Sequence, residues 1–349
     1  MVIPFLIVPR PIKTLYKLLL FFLLICSLEV QAQELEWNIN FFAFADNREY
    51  SGSDRESPTY MGLQLAPEVG LLMDSTHRLR VGMNLLKEFG TNNFRRIEPT
   101  IYYQYEQRAV DFYIGVFPRA GLTDDFSNAL LSDTVRYYRP NLNGILFRYK
   151  KSHFFQQVWI DWRSKQTEYQ REQFIVGVSG KFRRGLFSVE HEAILWHNAL
   201  PSRKEAGVHV EDNAALKLQL GVDFSSKTPL DSLALRAGGL FSFDRDRAID
   251  KWHAPKGLII EADLAYRSFY MKNTLYWGDP QVIALGDDFF SENRYNRLDL
   301  GWMPFRGTGL TARMEVSLHF TPGAIDNQQT LILRYPLGAT YGLKKERFR

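Results

Sequence analysis

The sequence predicts an all-β protein, a transmembrane antiparallel up-and-down β-barrel of about sixteen strands with short periplasmic turns and long extracellular loops. Three observations predict it. Apolar and polar residues alternate with period two along most of the chain, and helical spacing is not sustained past the N-terminus. The connections between alternating segments are short at one end and long at the other, an asymmetry that a soluble sandwich has no reason to show. Aromatic residues gather at the two ends of the apolar face, at the depths where amphipathic rings meet lipid headgroups.

Residues 1–32 read as a secretory signal peptide, leaving 33–349 as one barrel domain. Arg10, Lys13 and Lys17 precede the apolar run Leu18 to Leu28, and Val30-Gln31-Ala32 offers a small residue at the cut. That run is too short for a membrane-spanning helix. Cys26, the single cysteine, lies inside the signal, so the mature chain lacks disulfides, thiol catalysis and cysteine metal sites. A net charge of +4 over 349 residues gives no sign of nucleic-acid binding.

The strands follow in order. Segment 35–45 carries an apolar residue at every odd position. Segment 59–73 sets Met61, Leu63, Leu65, Val69 and Leu71 against Gln64, Glu68 and two glycines. The same reading gives 77–89, 97–106, 110–118, 142–149, 153–163, 173–183, 186–197, 213–224, 232–243, 257–266, 269–277 and 295–304. The last two are 310–320, where Thr311, Arg313, Glu315, Ser317 and His319 alternate with apolar residues, and 329–337. Pro67 and Pro99 each remove a ladder hydrogen bond, so they are expected to mark either bulges or a register different from the one read here.

Turns after the even strands are short, such as Asp74-Ser75-Thr76 and Arg184-Gly185. Loops after the odd strands are mostly long and polar, the longest spanning 119–141. At the short-turn ends the apolar face carries Trp37, Tyr105, Phe112, Tyr149, Phe154, Phe182, Phe187, Phe224, Tyr266, Phe269 and Trp302. At the long-loop ends it carries Phe89, Trp162, Phe243, Trp277 and Phe320.

The opposite face is charged: Arg78, Arg80, Glu98, Asp111, Arg148, Asp161, Lys181, Glu190, Glu192, Lys217, Asp223, Arg236, Glu261, Asp263, Lys272, Arg297, Asp299, Arg313 and Glu315. On a lipid face each Lys or Arg near the midplane would cost roughly 2–4 kcal/mol, so these residues are expected to line a wet lumen. An outward His191 and Gln156 sit awkwardly with lipid contact.

With these features the chain resembles the sixteen-stranded porins and porin-like outer-membrane barrels of Gram-negative bacteria, over about Leu35 to Leu337. The resemblance implies a bacterial outer-membrane location, contact with outer-membrane lipid and the barrel-assembly machinery, and trimers as in many porins. It implies passive diffusion of small hydrophilic solutes, with no enzymatic activity. Those porins usually end on an aromatic residue, whereas here Phe348 precedes Arg349. In them the loop after the fifth strand folds into the lumen. The matching segment holds Asp124, Asp125, Asp133, Arg136, Tyr137, Tyr138 and Arg139 around the apolar centre Phe126-Ser-Asn-Ala-Leu-Leu. Its acids are expected to face inward bases such as Arg78, Arg80 or Arg297 across a constriction.

Other chemistry finds little support. His191-Glu192 with His197 lacks the spacing of a zinc motif, because six residues of strand separate the histidines by ~20 Å. No cofactor or metal site is expected. Carboxylate pairs Glu190/Glu192 and Glu261/Asp263 read as pore charges rather than a glycosidase pair. Two alternatives to the open channel stand. Selective saccharide uptake would use Trp159, Trp196, Tyr276, Trp252 and Tyr102. An outer-membrane lipid hydrolase would need a serine and histidine together at the lipid-facing rim, and His191 has no serine neighbour.

Overall fold

The computed structural model describes residues 34–203, 209–246 and 251–342. The segment read as a signal peptide, with Cys26, and the chain end with Phe348 lie outside these residues.

In chain order the strands are β1 (Glu34–Glu49), β2 (Thr59–Leu72), β3 (His77–Glu88), β4 (Arg96–Gln107), β5 (Val110–Pro118), β6 (Asn141–Lys151), β7 (Phe154–Ser164), β8 (Gln173–Arg184) and β9 (Phe187–Asn198). They continue as β10 (Glu211–Asp223), β11 (Ser232–Asp246), β12 (Lys251–His253), β13 (Lys256–Tyr266), β14 (Phe269–Gly278), β15 (Arg294–Thr308), β16 (Leu310–Thr321) and β17 (Ala324–Gly342). β12 pairs only with the end of β11, so sixteen strands make the wall. Every neighbour is antiparallel, and β17 pairs with β1 from Glu34↔Gly342 to Glu49↔Asn327. The sheet is therefore a closed barrel without free edges.

Alternation sorts side chains as the sequence reading requires. Val81, Ile101, Leu218 and Leu220 are exposed on the outer face, whereas Asn84, Thr100, Lys217 and Gln219 are buried inside. Phe187, Phe269 and Trp302 stand exposed at the short-turn end and Trp162, Phe243 and Trp277 at the long-loop end. Single prolines do not produce the expected bulges: β2 and β3 keep one register across Pro67, and Met83 stays opposite Pro99. The irregularities fall instead in β15 beyond Trp302 and between Trp162 and Ser164 in β7. The closing strand continues past Leu337 through Tyr341 to Gly342, paired with β1 from Asn327 onward.

Two polar spots on the outer face are internally satisfied. Gln156 donates to the Ser179 carbonyl and lies 3.4 Å from His191 Nε2, both over Gly180, where a β-carbon would touch them. Asn273 and Asn296 exchange hydrogen bonds of 3.3 and 3.1 Å.

This facing sets up a stability prediction. Leu218→Lys or Val81→Lys should destabilise the inserted barrel by about 2–4 kcal/mol, read from unfolding in detergent micelles. Luminal Thr311→Lys should change it by much less. Gly82 is no control for such a test, because a β-carbon there would lie 2.3 Å from the Pro67 carbonyl oxygen.

Candidate functional site

Two loops fold into the outer half of the lumen. The segment after β5 enters the barrel through Arg119, turns at Phe126 to Leu131, and returns as a short helix α1 (Asp133–Tyr138). Phe126, Ala129, Leu130 and Leu131 are buried together with inner-wall residues Leu146, Trp159, Ile194, Ile259 and Tyr276. Phe126 meets Trp159 edge-on at 5.6 Å. The second loop, between β14 and β15, adds Phe289 and Phe290 to the same core. On the opposite wall, Tyr137 stacks on Phe44 at 4.5 Å, and Gln64 donates to the Tyr137 carbonyl oxygen.

A few polar anchors hold this plug. Arg119 donates to Asp161 at 2.7 Å with both side chains buried, and its guanidinium lies over Trp159. Burial pushes Arg119 down from its ordinary range, against the carboxylate of Asp161. Glu192 accepts from the backbone N–H and hydroxyl of Ser127, while Lys217 bridges Glu192 and Glu261. Arg148 donates to the Leu122 carbonyl oxygen.

The structure places the sequence-derived charged residues on the luminal face, mostly in pairs. Arg78 and Arg80 meet Glu36, and Arg96 pairs with Glu98. Lys150 pairs with Asp111, and Lys181 with Glu190. Arg236 pairs with Glu261 and Asp263, and Arg297 with Asp299 and, at 3.8 Å, with Glu315. Asp124 does face an inward base, but one other than the three named from the sequence. Asp124 meets Arg334 at 3.1 Å, while Arg78 and Arg80 are held by Glu36 and Arg297 reaches Asp287 of the second loop. Arg136 turns back on Asn128, Asp133 and the Phe126 carbonyl oxygen, and Arg95 stacks over Tyr138. Burial and the neighbouring Arg96 lower Arg139.

Burial alone would raise Asp133, but Arg136, Arg297 and Arg313 outweigh it and hold the carboxyl at about 2, against an ordinary 3.8. A lowered carboxyl stabilises the docked helix above 3.8 and loses that contribution as pH falls toward 2. The loss should amount to about 2 kcal/mol. Hydrogen exchange of the α1 amides should therefore speed up between pH 4 and 2, and Asp133→Asn should remove the pH dependence.

The outer face carries a constellation that the sequence reading missed. At the extracellular ends of the strands, one cross-strand rung reads Trp162, Phe174, His197, Asp212, Arg245, Trp252, from β7 through β12. Trp162 stacks on Phe174 at 5.3 Å, and Phe174 lies 4.9 Å from the His197 ring. His197 Nδ1 is 2.7 Å from Asp212 Oδ1. Arg245 sits over Trp252 at 5.1 Å. His197 and Asp212 are 21% and 15% exposed, enough for a small reactant to reach the ring. With Nδ1–H donating to the carboxylate, Nε2 becomes a lone-pair acceptor directed away from Asp212. The sequence reading weighed His197 only for its spacing from His191, and Asp212 falls just outside its segment 213–224, so the pair stays invisible there.

Among the described residues no group of three or more His, Cys, Asp or Glu side chains is placed to hold a metal.

A closed sixteen-strand barrel with an apolar outer face and two aromatic girdles defines an outer-membrane β-barrel protein. The chain belongs to the lipid A 3'-O-deacylase-type family, whose sequence pattern matches residues 28–340. This overturns the expectation of no enzymatic activity, since the family is one of enzymes. No curated protein matches the chain. Its fold is similar to that of a loop L8 deletion mutant of OmpT, an outer membrane protein of Vibrio cholerae, with TM-score 0.55 and 9% identity over 88% of this chain and 100% of that one. It is also similar to OpdL of Pseudomonas aeruginosa, with TM-score 0.50 and 10% identity over 87% and 99% of the two chains. At such identities the likeness concerns the fold alone. The protein belongs to the bacterial outer membrane.

Proposed function

We propose that the barrel hydrolyses an acyl ester of lipid A from the membrane side, with His197 as general base. The observation that carries this reading is the His197–Asp212 pair, facing lipid at the extracellular end of the wall. Family membership supplies the reaction class and the outer leaflet supplies the substrate. The other outward histidines are poorly placed: His77 lies at the periplasmic end of β3, and His191 is at mid-strand against Gln156.

In this reading a water donates its proton to His197 Nε2 as its oxygen adds to the ester carbonyl carbon. Asp212 holds the imidazole tautomer and stabilises the imidazolium. The tetrahedral intermediate then expels the sugar alkoxide, which takes the proton back from Nε2. The products are a free fatty acid and a hydroxyl. Arg245, next along the rung, supplies positive charge for the phosphorylated headgroup, and Trp162 and Trp252 fix the depth of the site in the interface.

The two loops packed into the outer lumen also favour this reading over free diffusion of solutes, since a lipid esterase needs a rigid wall and no open path. Purified barrel mixed with lipid A in detergent micelles should release fatty acid, and His197→Gln should not. Equal release by both proteins would refute the assignment of the base.

A further inference from the structure

The lumen holds a cavity of about 540 Å³ bounded by the loop after β5, by β1 at Phe42 and by the walls of β9 to β17. Most of its charges are already paired, as described above. Two groups are not. The Nε of Arg313, on β16, is buried without a hydrogen-bond partner, and the guanidinium enters no ion pair within 4.0 Å among the described residues. The hydroxyl of Tyr137, on α1, is likewise buried and unpartnered. The two lie within electrostatic reach of each other, and both line this cavity. Lys272, exposed on β14, lines the same space without a carboxylate within 4.0 Å.

A guanidinium and a phenol left without acceptors are costly in an enclosed space, and one ligand oxygen pair satisfies both. Arg presents its donors as a planar fork matched to carboxylate and phosphate, and Lys272 adds a point charge. The nearby acids Glu315 and Asp299 are occupied by Tyr270 and Arg297, so they do not compete for Arg313 through hydrogen bonds.

We propose that this cavity is a binding site for a compact oxyanion reaching it from the periplasm, held by Arg313, Tyr137 Oη and Lys272. The site is separate from the outer rung and does not depend on the esterase reading. Because Tyr137 belongs to the plug and Arg313 to the wall, an anion bridging them ties the plug to the barrel.

Titration calorimetry of the full barrel in zwitterionic detergent tests this, with inorganic phosphate and acetate as separate probes. Saturable binding of at least one probe is expected, weakened at least tenfold by Arg313→Gln. Tyr137→Phe keeps the packing on Phe44 and should weaken binding several-fold. Tighter phosphate binding would assign a phosphate-type ligand, and tighter acetate binding a carboxylate. Binding of neither probe at tens of millimolar, or affinities unchanged in Tyr137→Phe and in Arg313→Gln, would overturn the proposal. Should Arg313→Gln fail to fold, Lys272→Gln together with Tyr137→Phe carries the same decision.

Discussion

Excising residues 123–134 should give stable conductance steps in planar bilayers, where the intact barrel should give few or none. The excision removes Phe126, Leu130 and Leu131, which fill the lumen against Trp159 and its neighbours, and it removes the Ser127 contacts to Glu192. What then faces the opening is the ring of paired charges from Glu190 to Glu315, which holds water readily. The wall itself should survive, since sixteen strands close through β1 and β17 independently of the plug. A gentler variant is Asp161→Asn. It leaves Arg119 buried without its carboxylate, and losing one partner of a buried pair costs about 3–5 kcal/mol. Frequent flickering openings are the expected record. A deletion protein that inserts correctly and remains silent would show that the second loop closes the lumen alone.

The second large effect concerns the rung. His197→Gln removes the base, and general base catalysis contributes about 10²–10⁴ in rate. Fatty-acid release should fall by that factor while the barrel folds and inserts as before, because His197 lies on the outer face and contributes nothing to the lumen packing. Asp212→Asn should cost nearly as much through the wrong imidazole tautomer, although the cross-strand register is kept. Trp162→Ala, by contrast, should weaken engagement of the lipid surface and spare the chemical step. Equal losses from all three substitutions would indicate a folding defect instead.

The barrel was legible because its physics repeats. Each strand reports its facing every second residue, so a single misjudged boundary does not disturb the others, and the closed sheet preserves the inferred faces of Arg78 through Glu315. The loops have no such period. Sequence could say that Phe126 to Leu131 were too apolar for water, and the lumen is where they dock. It could not say which wall charge meets Asp124, because Arg334 is more than two hundred residues away and on the closing strand. The second plugging loop was passed over, since Phe289 and Phe290 stand among acids that read as solvated. The rung was missed for a different reason. Its six residues come from six strands, and only the pairing register of β7 through β12 aligns them. Starting β10 at 213 rather than at Glu211 was enough to hide Asp212.

Mass spectrometry of lipid A from outer membranes of cells making this chain, beside cells making His197→Gln at equal abundance, tests the central claim most directly. The esterase account requires a lipid A species lighter by one acyl chain with the intact protein, and its absence with the variant. Identical spectra from the two would contradict the account.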